Sequence, residues 1–145
     1  MKIAVIRVRG PIRARKEIND TLDMLRLYNA NYCVIIENSP NMMGMIKKVK
    51  DYVTYGEIDN STLSLLFKKK GEEYTGKLKD KKGKINYDHK YIVYDNKKYK
   101  KHFRLNPPRK GYGRKGIKKS FWVGGALGYR KGKINDLIGR MIWRW

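Results

Sequence analysis

The sequence contains very few residues of the types that bind metals or form disulfides. Among 145 residues there is one cysteine, Cys33, and there are two histidines. A single thiol excludes an internal disulfide framework and a multi-cysteine zinc site, and two histidines add too few ligands for a closed structural metal site. Cys33 lies in an apolar run, where a buried, unreactive thiol is the usual case. We therefore expect neither a metal nor a cofactor.

Long apolar runs are also missing. No run approaches the roughly 18 residues that a transmembrane helix needs. The four apolar residues before Arg7 fall short of the apolar stretch of a secretory signal, which is about 7–15 residues long. The mean hydropathy of −0.72 also argues against a membrane protein. A chain of this length suits one domain, or one small domain with appendages, and we expect it to be cytoplasmic.

Acidic residues are scarce and the positive charge is unevenly placed. The chain has 35 Lys+Arg against 13 Asp+Glu, a net charge of +22, and only 10 of the basic residues precede Asn60. Between Asp95 and Asp136 there are 14 Lys or Arg and no acid. Such a stretch repels itself without a polyanion, whereas a merely solvated surface mixes both signs. Since it also shows little of the apolar stripe that a membrane-surface helix needs, nucleic acid is the expected partner.

The first sixty residues predict a β-α-β-α-β order. Apolar and β-branched runs predict strands at 2–8, 32–37 and 52–58, and apolar residues at helical spacing predict a helix at 13–28. Ser39 and Pro40 supply an N-cap and a first-turn proline for a second helix. We therefore expect an α/β (α+β) fold, a small three-stranded sheet with two helices on one face, ferredoxin-like in character.

The remaining residues predict a basic extension. Residues 60–62 are expected to cap a short helix through residue 69, and a strand is expected at 90–94, with turns at 82–83 and 95–96. Residues 103–106 should be extended because two prolines follow them. We divide the chain into a core at 1–60 and an extension at 61–145. The extension contains a basic, glycine-rich RNA-binding loop (96–133) and a C-terminal amphipathic helix (134–145).

The glycine-rich loop resembles a dinucleotide fingerprint only formally. Residues 111–116 match G-x-G-x-x-G, with Asp136 twenty residues beyond, but two prolines precede them and no periodic helix follows. Glycines can instead let a backbone approach phosphates that the adjacent cations neutralise. Six aromatic residues alternate with these cations, and each could stack on a base or pack in the core: Tyr99, Phe103, Tyr112, Phe121, Trp122 and Tyr129.

Catalytic residues are not evident. His89 and His102 lie among lysines, and only the acidic pairs Glu57 with Asp59 and Glu72 with Glu73 could serve a metal-dependent nuclease. We therefore predict no enzyme, and we keep an RNA-processing enzyme as one alternative. A chromatin-type DNA-binding protein is another, although no helix-turn-helix, zinc-finger or basic-zipper pattern is present.

Two blocks of sequence resemble the archaeal members of the ribosomal protein family called L-thirty in bacteria and L-seven in eukaryotes. The first block comprises 6–10 (IRVRG), 21–27 (TLDMLRL), 43–45 with 48–49, and 51–57 (DYVTYGE). The second comprises 103–111 (FRLNPPRKG), the glycines at 124, 125 and 128, and 134–138 (INDLI), and resembles a region that shorter bacterial members lack. Residues 72–101 match no pattern of the family.

The resemblance implies a three-stranded sheet with two helices on one face and a structural role in the large ribosomal subunit. It further implies contacts with the large ribosomal RNA and with neighbouring ribosomal proteins, and proximity to the five-S RNA. Together with the charge pattern, it predicts that RNA is bound by phosphate neutralisation through the cations of one set of side chains, in which Tyr112 is the one aromatic residue and would stack on a base: Arg7, Arg9, Arg13, Arg15, Lys101, Arg104, Arg109, Lys110, Tyr112, Arg114, Lys115, Lys118, Lys119, Arg130 and Lys131.

Overall fold

A computed structural model describes residues 2–10, 15–74, 91–109, 111–112 and 114–142. These residues form strands and helices in the order β1 (Lys2–Arg7), α1 (Lys16–Met24), β2 (Tyr32–Glu37), α2 (Pro40–Lys48), β3 (Val53–Glu57), α3 (Asn60–Lys70), β4 (Tyr91–Tyr94), β5 (Lys97–Lys100), β6 (His102–Arg104), β7 (Gly128–Tyr129) and α4 (Ile134–Met141). Two 3-10 turns, Phe121–Val123 and Lys131–Lys133, precede β7 and α4 respectively. In this part of the chain no helix is both long enough and apolar enough to cross a bilayer.

The main sheet has five strands in the order β6-β2-β1-β3-β7. The central strand, β1, is antiparallel to β2 and β3, and β4 with β5 forms a separate hairpin. The predicted α+β class and the β-α-β-α-β order are confirmed, and β6 and β7 extend the three predicted strands at both edges. Strands of three and two residues are too short to show a two-residue alternation in sequence.

Helices α1 and α2 cover one face of the sheet, as predicted. Ile3 and Val5 of β1 point to this face because alternate residues of a strand point the same way. They pack with Leu22 near the end of α1, with Ile46 of α2 and with Val53 of β3. All five side chains are almost fully buried.

Helices α3 and α4 cover the opposite face. Ala4 and Ile6 of β1 pack there with Phe67 of α3 and with Leu137 and Ile138 of α4. Because β1 is buried on both faces, it appears in the sequence as a continuous apolar run rather than an alternating one. Residues from before and after residue 60, the predicted boundary between core and extension, therefore pack in one hydrophobic core.

Several predicted boundaries differ from the observed ones. Helix α1 ends before Arg26, which takes a left-handed φ of +66° and so turns the chain. The N-cap of α3 is Asp59 rather than residues 60–62, because the Asp59 carboxylate accepts a hydrogen bond of 2.8 Å from the Thr62 N–H. The turn at Asp95 and Asn96 is confirmed by positive φ angles at both. The predicted turn at 82–83 and the residues beyond 142 lie outside the described part.

Candidate nucleic-acid interface

The segment 114–127, here called the basic loop, is held in one shape by its own backbone. The Lys115 N–H donates to the Gly124 carbonyl at 3.0 Å, and the Ala126 N–H donates to the Lys119 carbonyl at 2.9 Å. A Cβ on Gly125 would lie only 2.2 Å from that Lys119 oxygen, so this position requires glycine. At Gly125 the close approach is between two parts of the backbone, and the approach of phosphates predicted for the glycines of 111–116 stays a prediction.

The basic loop presents cations and no acid to solvent. Arg114, Lys115, Lys118 and Lys119 are all exposed, and Lys131 is exposed on the 3-10 turn that follows β7. That turn lies directly on β3, since a Cβ on Gly56 would lie 2.1 Å from the Lys131 carbonyl oxygen. The fold therefore holds the positive charge of these five predicted RNA-binding side chains on a fixed framework.

Two of the predicted RNA-binding arginines lie inside the protein. Arg7 and Arg130 are each only 2% exposed. Arg7 donates from Nε to the Arg9 carbonyl at 2.9 Å and from Nη1 to the Leu27 carbonyl at 2.7 Å. Burial lowers the pKa of Arg7, and the nearby charge of Asp23 opposes that shift. Its hydrogen bonds join β1 to the loop after α1, so its guanidinium has no surface on which to meet a phosphate.

Arg130 joins the basic loop to the sheet. Its Nε donates to Thr54 Oγ1 at 2.7 Å, and its Nη2 donates to the carbonyls of Tyr112 and Ala126, each at 3.1 Å. Its guanidinium carbon also lies 4.6 Å from the centre of the Phe121 ring. Burial and the like charge of Arg140 lower the pKa of Arg130 to about 10. This side chain fixes the loop rather than facing solvent.

The predicted arginines near the first strand lie at or near the surface. Arg9 is half-buried, donates to the Asp51 carbonyl at 3.3 Å and lies 4.8 Å from the centre of the Tyr52 ring. Arg15 is exposed at the N-cap position of α1. Arg13, like Lys110 farther along, lies outside the described residues.

The predicted residues around β6 differ in exposure and in their surroundings. Arg104 is exposed, but its Nε donates to the Glu72 carboxylate, which Lys100 approaches to 3.4 Å. The hydrogen bond and the charge of Glu72 raise the pKa of Arg104. Arg109 is exposed beside α4, where its carbonyl accepts from Arg140 at 2.9 Å. Lys101 is half-buried at the edge of an apolar groove.

Three of the four carboxylates considered for a nuclease have structural partners instead. Asp59 caps α3, Glu57 accepts a hydrogen bond from the Tyr129 hydroxyl, and Glu72 pairs with Arg104. Within the described ranges, no three acidic, histidine or cysteine side chains are grouped closely enough to hold a metal ion.

Most of the extension's aromatic residues that the structure describes contact other parts of the protein. Phe103 is fully buried, and the Tyr99 ring lies 5.2 Å from that of Phe67. The Tyr112 hydroxyl donates to the Asn31 side chain, and burial raises the pKa of Tyr112. Tyr112 therefore anchors the chain before the basic loop, although the sequence placed it among the RNA contacts. Its partner Asn31 was not among the predicted site residues, and only the 29–31 turn indicated it.

Asn135 is a second residue that sequence reasoning missed. Its amide donates to the Gly132 carbonyl at 2.9 Å and to the Glu57 carbonyl at 3.2 Å, and its Oδ1 accepts from the Asp59 N–H at 3.0 Å. It therefore joins the start of α4 to the end of β3. Only its place in the family-like 134–138 run marked it.

Comparison with known proteins places this architecture in a family. The family model for ribosomal protein L30p/L7e matches residues 3–53. Large ribosomal subunit protein uL30 of Methanococcus maripaludis is 49% identical, with 98% of this chain and 100% of the relative covered. The uL30 proteins of Nanoarchaeum equitans and Methanopyrus kandleri are 46% and 43% identical, covering 96% and 93% of this chain and 97% and 100% of their own lengths.

These matches confirm the resemblance that the two sequence blocks indicated. The family model covers β1 to the start of β3, and the archaeal relatives extend the similarity through the basic loop and α4. The chain belongs to the ribosomal protein L30p/L7e family.

Proposed function

We propose that this protein is a structural constituent of the large ribosomal subunit, which binds and stabilises ribosomal RNA by phosphate neutralisation and shape recognition. Its relatives are named as large-subunit proteins, and its family is one of structural components rather than enzymes. The observation that carries the RNA-binding role is the basic loop. Four exposed cations with no acid among them lie on a backbone that the protein itself holds rigid.

The proposed contact surface is smaller than the predicted set. It consists of the predicted cations that are exposed or half-buried, together with Arg13 and Lys110, which lie outside the described residues. Arg7, Arg130 and Tyr112 instead hold the surface in place through their hydrogen bonds. The contact residues are therefore Arg9, Arg13, Arg15, Lys101, Arg104, Arg109, Lys110, Arg114, Lys115, Lys118, Lys119 and Lys131.

Neutralising a phosphate releases a bound counterion, so the affinity for RNA should fall steeply as salt rises. The test is gradient sedimentation of a gentle lysate from the native source, at low and at high salt, with this protein followed by antibody. We expect it to migrate with the large subunit at about one copy per particle in moderate salt. Recovery at the top of the gradient, or together with DNA, would refute the proposal.

Proximity to the five-S RNA is a finer part of the same proposal and is supported by the family resemblance alone. The test is crosslinking of purified large subunits by ultraviolet light, followed by sequencing of the RNA attached to this protein. Attachment to five-S RNA in addition to the large RNA is the expected result. Attachment only to segments of the large RNA that do not approach five-S RNA would contradict it.

A further inference from the structure

Trp122 differs from the other described aromatic residues of the extension because most of its ring is exposed to solvent. It is 61% exposed. The rings of Phe103 and Tyr99 pack in the protein, and the hydroxyls of Tyr112 and Tyr129 are hydrogen-bonded to side chains. A large apolar ring left in water is unfavourable unless a partner covers it.

The fold holds the indole in position. Trp122 is the middle residue of the Phe121–Val123 turn, which is closed by a hydrogen bond of 3.0 Å from the Gly124 N–H to the Phe121 carbonyl. The Phe121 ring meets the indole edge-to-face at 5.4 Å. Phe121 is itself fixed by the guanidinium of Arg130. An aromatic ring on a rigid turn loses little conformational entropy when it binds.

The surroundings of Trp122 identify the chemistry of its partner. Lys131 Nζ lies 5.5 Å from the indole centre, and the basic loop places four further exposed cations on the same segment. The loop contains no acid that could pair with a basic protein surface. Unpaired bases of RNA present flat apolar faces directly beside phosphates, and stacking on an aromatic side chain is how proteins commonly bind them.

We propose that Trp122 stacks on an unpaired RNA base while the cations of the basic loop bind the phosphates on either side of it. The proposal rests on the proposed RNA-binding function and adds a preference for single-stranded over paired segments. Tyr28 is the other strongly exposed aromatic residue of the described chain, at 45%. Its ring lies edge-to-face on His102 at 5.7 Å, and His102 belongs to β6, at the sheet edge opposite β7. Trp122 is therefore the aromatic contact assigned here.

The test compares binding of the full chain to two RNA probes of equal length, a hairpin with an adenosine loop and a fully paired duplex. Trp122→Ala should weaken binding to the hairpin by about 5- to 100-fold and leave binding to the duplex nearly unchanged. Trp122→Phe keeps a ring and should lose less. Val123→Ala is the matched control, because Val123 is 51% exposed on the same turn and has no ring.

Fluorescence supplies a second readout that does not depend on affinity. In a Trp143→Phe, Trp145→Phe variant Trp122 is the only indole, and the hairpin should quench its emission more than the duplex does. Equal losses of hairpin binding for Trp122→Ala and Val123→Ala would indicate a general apolar contact of the turn with RNA rather than stacking on the indole, and would overturn the proposal. Unchanged hairpin binding by Trp122→Ala would also overturn it. Failure of the unsubstituted protein to bind either RNA would instead refute the proposed function.

Discussion

Replacing Lys118 and Lys119 together by glutamine tests whether RNA is bound by the basic loop or by net charge alone. Both side chains are exposed, and the loop's hydrogen bonds at Lys119 use only its backbone, so the substitution keeps the loop's shape. Each phosphate contact contributes about 0.7–0.9 to the slope of log affinity against log salt. Losing two contacts should therefore reduce the slope by about 1.4–1.8. Between 50 and 200 mM salt, the variant should lose roughly 7- to 12-fold less affinity than the unsubstituted protein.

The assay is a titration of RNA with the full chain at several salt concentrations between those limits. Lys47→Gln with Lys48→Gln is the matched control, since it removes two adjacent exposed lysines from the end of α2. Each pair lowers the net charge from +22 by two. The control pair should leave the slope nearly unchanged. Equal changes in slope for the two pairs would refute the reasoning, because they would show that the position of the charge is immaterial.

Three further predictions concern stability and are measured by denaturant unfolding. Arg130→Met should lower the free energy of unfolding by about 3 kcal/mol because it leaves buried acceptors unpaired, whereas exposed Arg114→Met should change it by less than about 0.5 kcal/mol. Gly125→Ala should lower the free energy of unfolding by about 1–3 kcal/mol, because the new Cβ would clash with the Lys119 carbonyl. Gly139→Ala is the control, since its Cβ would meet no other atom and should not destabilise α4. Equal effects of the two substitutions would contradict the close approach at Gly125. Burial raises the pKa of the Cys33 thiol, so the unfolded chain ionises first above about pH 9 and stability should fall there by up to about 1.4 kcal/mol per pH unit. Cys33→Ala should show a shallower fall, and an identical pH profile would contradict this assignment.

The local elements were predictable because their signals lie within a few residues. The run 32–37 was predicted as a strand and is β2 with the same bounds. Ser39 and Pro40 fixed the start of α2, where the Ser39 hydroxyl accepts from the Met42 N–H at 3.3 Å. The cap of α3 was misplaced because three capping residues follow Asp59 in sequence. Only the observed hydrogen bonds decide among such neighbours.

Arginines that looked alike in the sequence differ in burial in the structure. Arg7 and Arg9 stand two residues apart in one basic run, yet Arg7 is buried and Arg9 reaches the surface. Residues two apart on a strand share a face, but Arg7 is the last residue of β1 and Arg9 follows the strand. The carbonyl that binds Arg7 belongs to Leu27, twenty residues along the chain. A local pattern contains no information about that partner.

The sequence by itself determined the class of partner and the order of the first elements. Net charge and its position are sums over residues that no folding alters, and strand and helix periods depend on close neighbours. Only the tertiary structure decided which cations face solvent, which rings are free, and that β6 and β7 complete the sheet. These outcomes depend on contacts across long separations, such as Thr54 with Arg130, 76 residues apart. Such contacts form only in the folded chain, so packing rather than composition decides which cations are left exposed.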